Sequence, residues 1–125
     1  MADVPPVNYC PRCGAGLVRR ECFGQVRPVC PDCGYVHFYD PKVAAAVFIE
    51  RHDEQGDRVL LVKRGVEPER GKWALPAGFV DYREDPRQTA IREVREETGL
   101  EVAITRLLDV FHSQREFGAS IIIGY

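Results

Sequence analysis

The stretch GFVDYREDPRQTAIREVREETGL, Gly78 to Leu100, decides how the chain is read, because its middle is a helix with both ends marked. Asp85-Pro86 is a start signal: the aspartate side chain can accept from free backbone N–H groups, and proline at the first helical position forfeits no hydrogen bond. Gly99 is the matching stop, able to take the left-handed conformation that closes a helix. Between them Ala90, Ile91 and Val94 recur at helical spacing and mark a buried stripe, leaving the other face to charged groups.

That other face carries Glu93, Glu96 and Glu97. At offsets of three and four residues, their carboxylates leave one side of the helix within about a hundred degrees of arc. Neighbouring like charges cost a helix roughly 0.2 to 0.5 kcal/mol per pair, and a bound divalent cation turns the same crowding into a hard-oxygen site. Such an ion can bridge diphosphate oxygens and lower the pKa of a water that attacks phosphorus. The plainer alternative is a solvated face on which Arg92 pairs with Glu96 at i, i+4.

Upstream of this helix, Val43 to Ile49 and Val59 to Val62 are apolar runs of strand length, and His52 to Asp57 between them is polar and contains glycine, which predicts a hairpin. Arg64 to Lys72 reads as a loop leading into the compact turn Trp73 to Gly78. Trp73 and Phe79 are expected to be packing anchors. Phe38 and Tyr39 are expected to pack between the two lobes of the chain. Downstream, Val102 to Phe111 is expected to be a strand and Ser120 to Tyr125 the start of another. Ile121, Ile122 and Ile123 want burial on a sheet, so the sequence reads as a domain incomplete at its C-terminal end.

The N-terminal third has a different chemistry. Cys10-Pro11-Arg12-Cys13-Gly14 and Cys30-Pro31-Asp32-Cys33-Gly34 are two knuckles sixteen residues apart, a spacing that suits a tetrahedral thiolate cage for zinc, with rubredoxin-like iron the lesser alternative. Glycine after each second cysteine permits the turn that aims backbone N–H groups at sulfur. Four protein ligands close the site, so the zinc is expected to be structural, stapling a lobe too small to fold alone. Cys22 is left over. The expected organisation is a leader over 1–9, a zinc ribbon over 10–40 and a second domain over 41–125.

Composition narrows the class. With 125 residues, 45% of them hydrophobic and 29% charged, the chain falls in the ordinary globular range. A formal net charge of −2 gives no electrostatic footprint for nucleic acid, and residues 1–40 balance Arg12, Arg19, Arg20 and Arg27 against Asp3, Glu21, Asp32 and Asp40. No apolar run approaches the ~20 residues that span a bilayer, and no signal-peptide pattern opens the chain, so the expected location is the cytoplasm.

The spacing of Gly78, five residues, Glu84, seven residues, then Arg92-Glu93-Val94-Arg95-Glu96-Glu97-Thr98-Gly99-Leu100 matches the Nudix box at each fixed position, and the chain resembles the Nudix hydrolases. The resemblance implies a mixed-sheet α/β/α sandwich and hydrolysis of the pyrophosphate bond of a nucleoside diphosphate joined to another group, with Mg2+ or Mn2+. It implies that Glu93, Glu96 and Glu97 are metal-binding carboxylates, that Glu93 is also a candidate general base, and that the Gly78 carbonyl is a further ligand. Arg92 and Glu84 would form an ion pair holding the helix to the Gly78 loop. Arg64 matches a position where the family often places a basic residue on substrate phosphates, and a solvated strand end is an equal alternative. Glu116 is a candidate for the additional carboxylate that several members recruit after the box.

A zinc ribbon joined to this box resembles the group of NADH pyrophosphatases and enzymes acting on flavin adenine dinucleotide or ADP-ribose. NADH pyrophosphatases carry Ser-Gln-Pro-Trp shortly after the box; here Ser113-Gln114 is followed by Arg115-Glu116-Phe117, which favours ADP-ribose or flavin adenine dinucleotide over NADH. A small dinucleotide or nucleotide-sugar-like molecule is thus the expected partner. Dimers are common in the family, and no residue here decides the point. Two other readings stay open: a zinc-ribbon binding or nucleotide-sensing module with an idle Nudix portion, and an RNA-end decapping hydrolase.

Overall fold

The computed structural model describes residues 4–115 and 118–125, so Glu116 lies outside the described residues. The chain separates into two compact units at Asp40 and Pro41.

In the first unit, β1 (Val18–Cys22) and β2 (Gln25–Val29) form an antiparallel ribbon in which Val18 faces Val29 and Arg20 faces Arg27. The two cysteine knuckles flank it. Each is a tight turn, Gly14 N–H to Cys10 O at 2.8 Å and Gly34 N–H to Cys30 O at 3.1 Å, closed by a glycine at φ 77° and 79° respectively. Those angles explain why glycine follows each second cysteine. Cys22 ends β1 and is half-buried.

The second unit is a mixed sheet with one helix against it. Its sheet runs β8-β3-β10-β9, where β3 is Lys42–Ala46, β8 Ala77–Phe79, β9 Asp109–Arg115 and β10 Gly118–Gly124. β10 lies parallel to β3, with Ile122 beside Ala44, while β8 lies antiparallel on the other side of β3, with Gly78 beside Ala45. The isoleucines Ile121 to Ile123 are therefore half-buried in an interior strand.

Helix α1 (Pro86–Thr98) starts and stops where the local chemistry predicts. Asp85 caps it, accepting from Arg87 N–H at 2.8 Å, Pro86 follows, and Gly99 at φ 74° donates to Arg95 O. Its Ala90 and Val94 are fully buried against Ala45, Val47 and Tyr125, with Ile49, Val80, Val102, Ile104 and Ile123 packed around them. Ala45 and Ala90, both fully buried in this cluster, carry nothing larger than a methyl group, which lets the helix lie close on β3 and β8. That closeness brings its carboxylates to the Gly78 strand.

Three strand expectations are corrected. The hairpin exists, but its arms are the polar β4 (Glu50–Asp53) and β5 (Gly56–Val59), with His52 opposite Asp57. Of the Val43–Ile49 run only the part up to Ala46 belongs to β3; beyond it Val47 N–H donates to Pro76 O and Phe48 N–H to Tyr125 O. Apolar patterning located the turn of the hairpin but not its polar arms, along which His52 sits between Glu50 and Asp57 at 2.7 Å each and Asp53 accepts from Arg51 and Arg58. Val59 to Val62 is likewise split between β5 and the short β6 (Val62–Lys63), which pairs with β7 (Trp73–Ala74). Finally, the strand expected over Val102 to Phe111 begins only at Asp109; Val102 and Ile104 are half-buried without joining a ladder.

Trp73 and Phe79 are not packing anchors: they are 65% and 55% exposed, and Lys42 Nζ stands 4.9 Å above the Phe79 ring. Both sit on strands only two or three residues long, too short to cover a large ring. No described helix is long and apolar enough to cross a membrane.

Candidate functional site

The geometry around Gly78 follows from the close helix. A β-carbon placed on Gly78 would stand 2.0 Å from Glu93 Cδ and 2.1 Å from Glu93 Oε1, so the carboxylate occupies the space that any side chain at 78 would need. One turn along, Glu97 Oε2 accepts from Ala77 N–H at 3.1 Å. Two of the three helix carboxylates are thus seated on the β8 backbone. Glu96 is the outermost, 57% exposed, and is held by Arg92.

Arg92 gathers most of the cluster. Its Nε and Nη2 donate to the two oxygens of Glu84 at 2.6 and 3.0 Å, its Nη1 to Glu93 at 2.8 Å and Glu96 at 3.2 Å, and Nη2 also to Phe79 O at 3.4 Å. The forked Glu84 contact suits a planar guanidinium. It ties the helix to the loop before it, and the Phe79 bond ties it to β8. Glu84 also accepts from Thr89 Oγ1 at 2.7 Å and Asp81 N–H at 3.4 Å. Arg92 first, then Thr89, hold the Glu84 carboxyl down at about 2, and Glu84 in turn raises the Arg92 pKa.

Glu97 moves the opposite way. Burial first, then the charges of Glu93 and Glu96, raise its pKa against the lowering influence of the Ala77 N–H and Arg64. The residue as a whole is exposed, and its carboxylate meets Ala77 N–H. Burial does most of the raising, and the neighbouring Glu93 and Glu96 charges add to it. Hard oxygens with a surplus of negative charge are the donor set a divalent cation takes. The three carboxylates do not themselves close into a cage: among the described residues, only the cysteines bring three or more such ligand atoms within 4.8 Å of one another.

Arg64 lies beside the cluster. It lines a cavity of about 270 Å³ together with Val62, Gly65, Leu75, Ala77 and Glu97, and its Nε donates to Pro68 O at 2.8 Å. An arginine and a carboxylate thus share one pocket wall. Thr89, fully buried, and the backbone groups of Ala77, Asp81 and Phe79 were not singled out from sequence. The threonine had a usable signal, a hydroxyl inside a helix stripe that must find an acceptor once buried. The backbone groups had none.

At the other site, Cys10, Cys13, Cys30 and Cys33 bring their Sγ atoms within 4.8 Å of one another, with Cys10 to Cys33 at 3.6 Å and Cys13 to Cys30 at 3.5 Å. Tetrahedral zinc with Zn–S bonds of about 2.3 Å has sulfur–sulfur edges of about 3.8 Å, so the residues fit that ion. Arg12 N–H points at Cys10 Sγ and Cys33 N–H at Cys30 Sγ. Burial opposes the Cys10 thiolate, yet the N–H groups of Cys13 and Arg12 and the Cys33 thiol outweigh it and bring the pKa to about 7. The Cys33 N–H, against burial, likewise lowers Cys30.

The NUDIX domain family model matches residues 40–121. The chain belongs to the Nudix family. Among curated Nudix relatives, it is 40% identical over 68 residues to an ADP-ribose pyrophosphatase of Methanocaldococcus jannaschii, covering 54% of this chain and 40% of that one. It is 40% identical over 81 residues to diphosphoinositol polyphosphate phosphohydrolase 3-alpha of Mus musculus, covering 62% and 48%. A Nudix hydrolase from Nitrosomonas europaea superposes with a TM-score of 0.77 at 34% identity, over 94% of this chain and 66% of that one. The NUDIX domain of Shewanella oneidensis NrtR, solved with ADP ribose, superposes at 0.64 with 28% identity, over 70% and 60%. The chain therefore spans less than half the length of these two curated relatives. The Nitrosomonas match reaches into the cysteine unit as well as the Nudix unit, since it covers nearly the whole chain.

Proposed function

We propose that the chain carries the zinc site and catalytic helix of a hydrolase that cuts the diphosphate of a nucleoside diphosphate joined to a second group, with ADP-ribose or flavin adenine dinucleotide favoured over NADH. The observation that carries the reading is the seating of Glu93 and Glu97 on Gly78 and Ala77 beside the Arg64 cavity. Glu93, Glu96, Glu97 and the Gly78 carbonyl would hold Mg2+ or Mn2+, which supplies charge neutralisation at phosphate and an acidified water. Arg64 orients the substrate diphosphate from the lining of that cavity. Arg92 and Glu84 keep the helix and β8 in register, and Glu93 would accept the proton of the attacking water. Cys10, Cys13, Cys30 and Cys33 hold structural zinc. The expected location is the cytoplasm.

The relatives support the substrate class: one is named an ADP-ribose pyrophosphatase, and a structural neighbour was solved with ADP ribose. That neighbour, NrtR, was also solved with a 27mer DNA, which keeps a nucleotide-sensing reading in view. A panel assay with magnesium separates the two. ADP-ribose, flavin adenine dinucleotide, NADH, a diphosphoinositol polyphosphate and a capped RNA are incubated with the full-length protein and with Glu96→Gln and Glu97→Gln forms. Metal-dependent release of nucleoside monophosphate that both substitutions abolish is the expected result. Tight ADP-ribose binding with no turnover of any substrate would overturn the hydrolase in favour of the sensor.

A further inference from the structure

The β1–β2 ribbon of the cysteine unit presents a small aromatic and cationic face that the hydrolytic reading does not use. Phe23 and Gly24 make its two-residue turn, with Cys22 opposite Gln25 and φ of 51° and 79°. Asparagine or aspartate is the ordinary choice before glycine in such a turn, because a bulky side chain at positive φ is strained. Here the position holds a phenylalanine that is 77% exposed. The Phe23 ring meets Phe38 at 5.8 Å, and the Arg27 guanidinium lies over Phe38 at 4.7 Å with its Nε bonded to Cys22 O. Phe38 thus makes these ring contacts within its own unit.

Arg27 also stands directly opposite Arg20 across the ribbon. Cross-strand partners share a face, and like charges so placed repel. Glu21 is opposite Val26 and so belongs to the other face. The even balance of charge over residues 1–40 hides this segregation: Arg20 and Arg27 share one face of the ribbon, and Phe38 and then Phe23 adjoin Arg27.

We infer that this face binds single-stranded nucleic acid, with an unpaired base stacked on Phe23 and neighbouring phosphates on Arg20 and Arg27. Planar rings beside guanidinium groups are what flexible, unstacked bases and their backbone require. An acidic peptide would use the arginines but leave the strained aromatic turn without a purpose. The inference is independent of the hydrolase reading, since none of its residues lies in the Nudix unit.

The test is fluorescence anisotropy of a labelled oligonucleotide of about twelve nucleotides, in RNA and DNA forms, with the zinc-loaded full-length protein. Phe23→Asn suits the turn better than the native residue and leaves the fold intact; Arg20→Gln removes one surface charge. We expect binding that weakens with salt, a loss of about tenfold in Phe23→Asn, and in Arg20→Gln a weaker affinity whose log–log salt slope is shallower by about one. Diphosphate hydrolysis should be unchanged in both. Absence of binding at low salt, or equal affinity in all three proteins, would overturn the inference. So would Phe23-dependent capture by phosphatidylserine vesicles without oligonucleotide binding, which would make the face a membrane contact.

Discussion

Glu93 fills the space over Gly78: its carboxylate carbon lies 2.0 Å from where a β-carbon at 78 would be. The Gly78 φ is not in the left-handed region, so glycine is needed there for room and not for backbone freedom. Gly78→Ala should push Glu93 off β8 while the sheet, secured by Ala45 and its neighbours, survives. Displacement of a catalytic group by about 1 Å costs on the order of 100-fold in rate. Steady-state kinetics beside circular dichroism will check this; near-normal kcat in the alanine form would show that the seating is incidental.

Thr89 donates to Glu84 from a fully buried position. Thr89→Val keeps the shape and deletes the hydroxyl, leaving Glu84 with Arg92 and Asp81. A hydrogen bond to a charged group contributes about 1.5–3 kcal/mol. Urea titration should show a loss of that order, with a smaller fall in kcat than Gly78→Ala because Arg92 still grips Glu84.

The Glu84 carboxyl is held at about 2 against an ordinary 4.5, chiefly by Arg92. A carboxylate whose folded pKa is depressed contributes stability that is complete above its unfolded value and lost as pH falls through the folded one. The stability gap between wild type and Glu84→Gln should therefore be constant above about pH 5 and close between 4.5 and about 2. Thermal melts over that range measure it, and a gap that does not change with pH would mean the ion pair contributes nothing net.

Where sequence and structure agree, the determinant is local. Asp85, Pro86 and Gly99 carry their helix-end chemistry in their own side chains or lack of them, and the cysteine knuckles carry theirs in four-residue units. The hairpin was displaced because β4 and β5 are held by Glu50, His52, Asp53, Asp57 and Arg58, and both its faces are polar enough that no alternation marks it. The seating of Glu93 needs the helix close on β8, across a core in which Ala45 and Ala90 are both fully buried, and no motif spacing expresses that. Arg64 joining Glu97 in one cavity is likewise a product of the β6–β7 pairing, which two-residue strands do not announce.

Zinc should be integral to the first unit. With four cysteine sulfurs within 4.8 Å of one another, metal analysis should give one zinc per chain. Because among the described residues of this unit little else is buried besides Cys10, Pro28, Val29 and Cys30, binding energy and folding energy are the same quantity there. A strong chelator, or Cys13→Ser, should abolish amide protection in β1 and β2 while α1 keeps its own. Protection that persists without metal would contradict a zinc-dependent fold.

Glu97 is the residue at which stability and function should oppose each other. Its pKa is raised, so the folded state is most stable with this group protonated and loses stability as pH rises from the ordinary carboxylate value through the folded one. Glu97→Gln keeps an acceptor for Ala77 N–H and removes the unfavourable charge, so metal-free protein should melt higher in the variant at neutral pH, with the difference vanishing in acid. Magnesium should reverse the order, because a cation that binds only the folded state stabilises it in proportion to the logarithm of its concentration, and it needs the carboxylate. Melting curves of both proteins with and without magnesium test the two halves together. A variant less stable than wild type without metal would refute the charge argument, and one that gains as much from magnesium as wild type does would remove Glu97 from the ligand set.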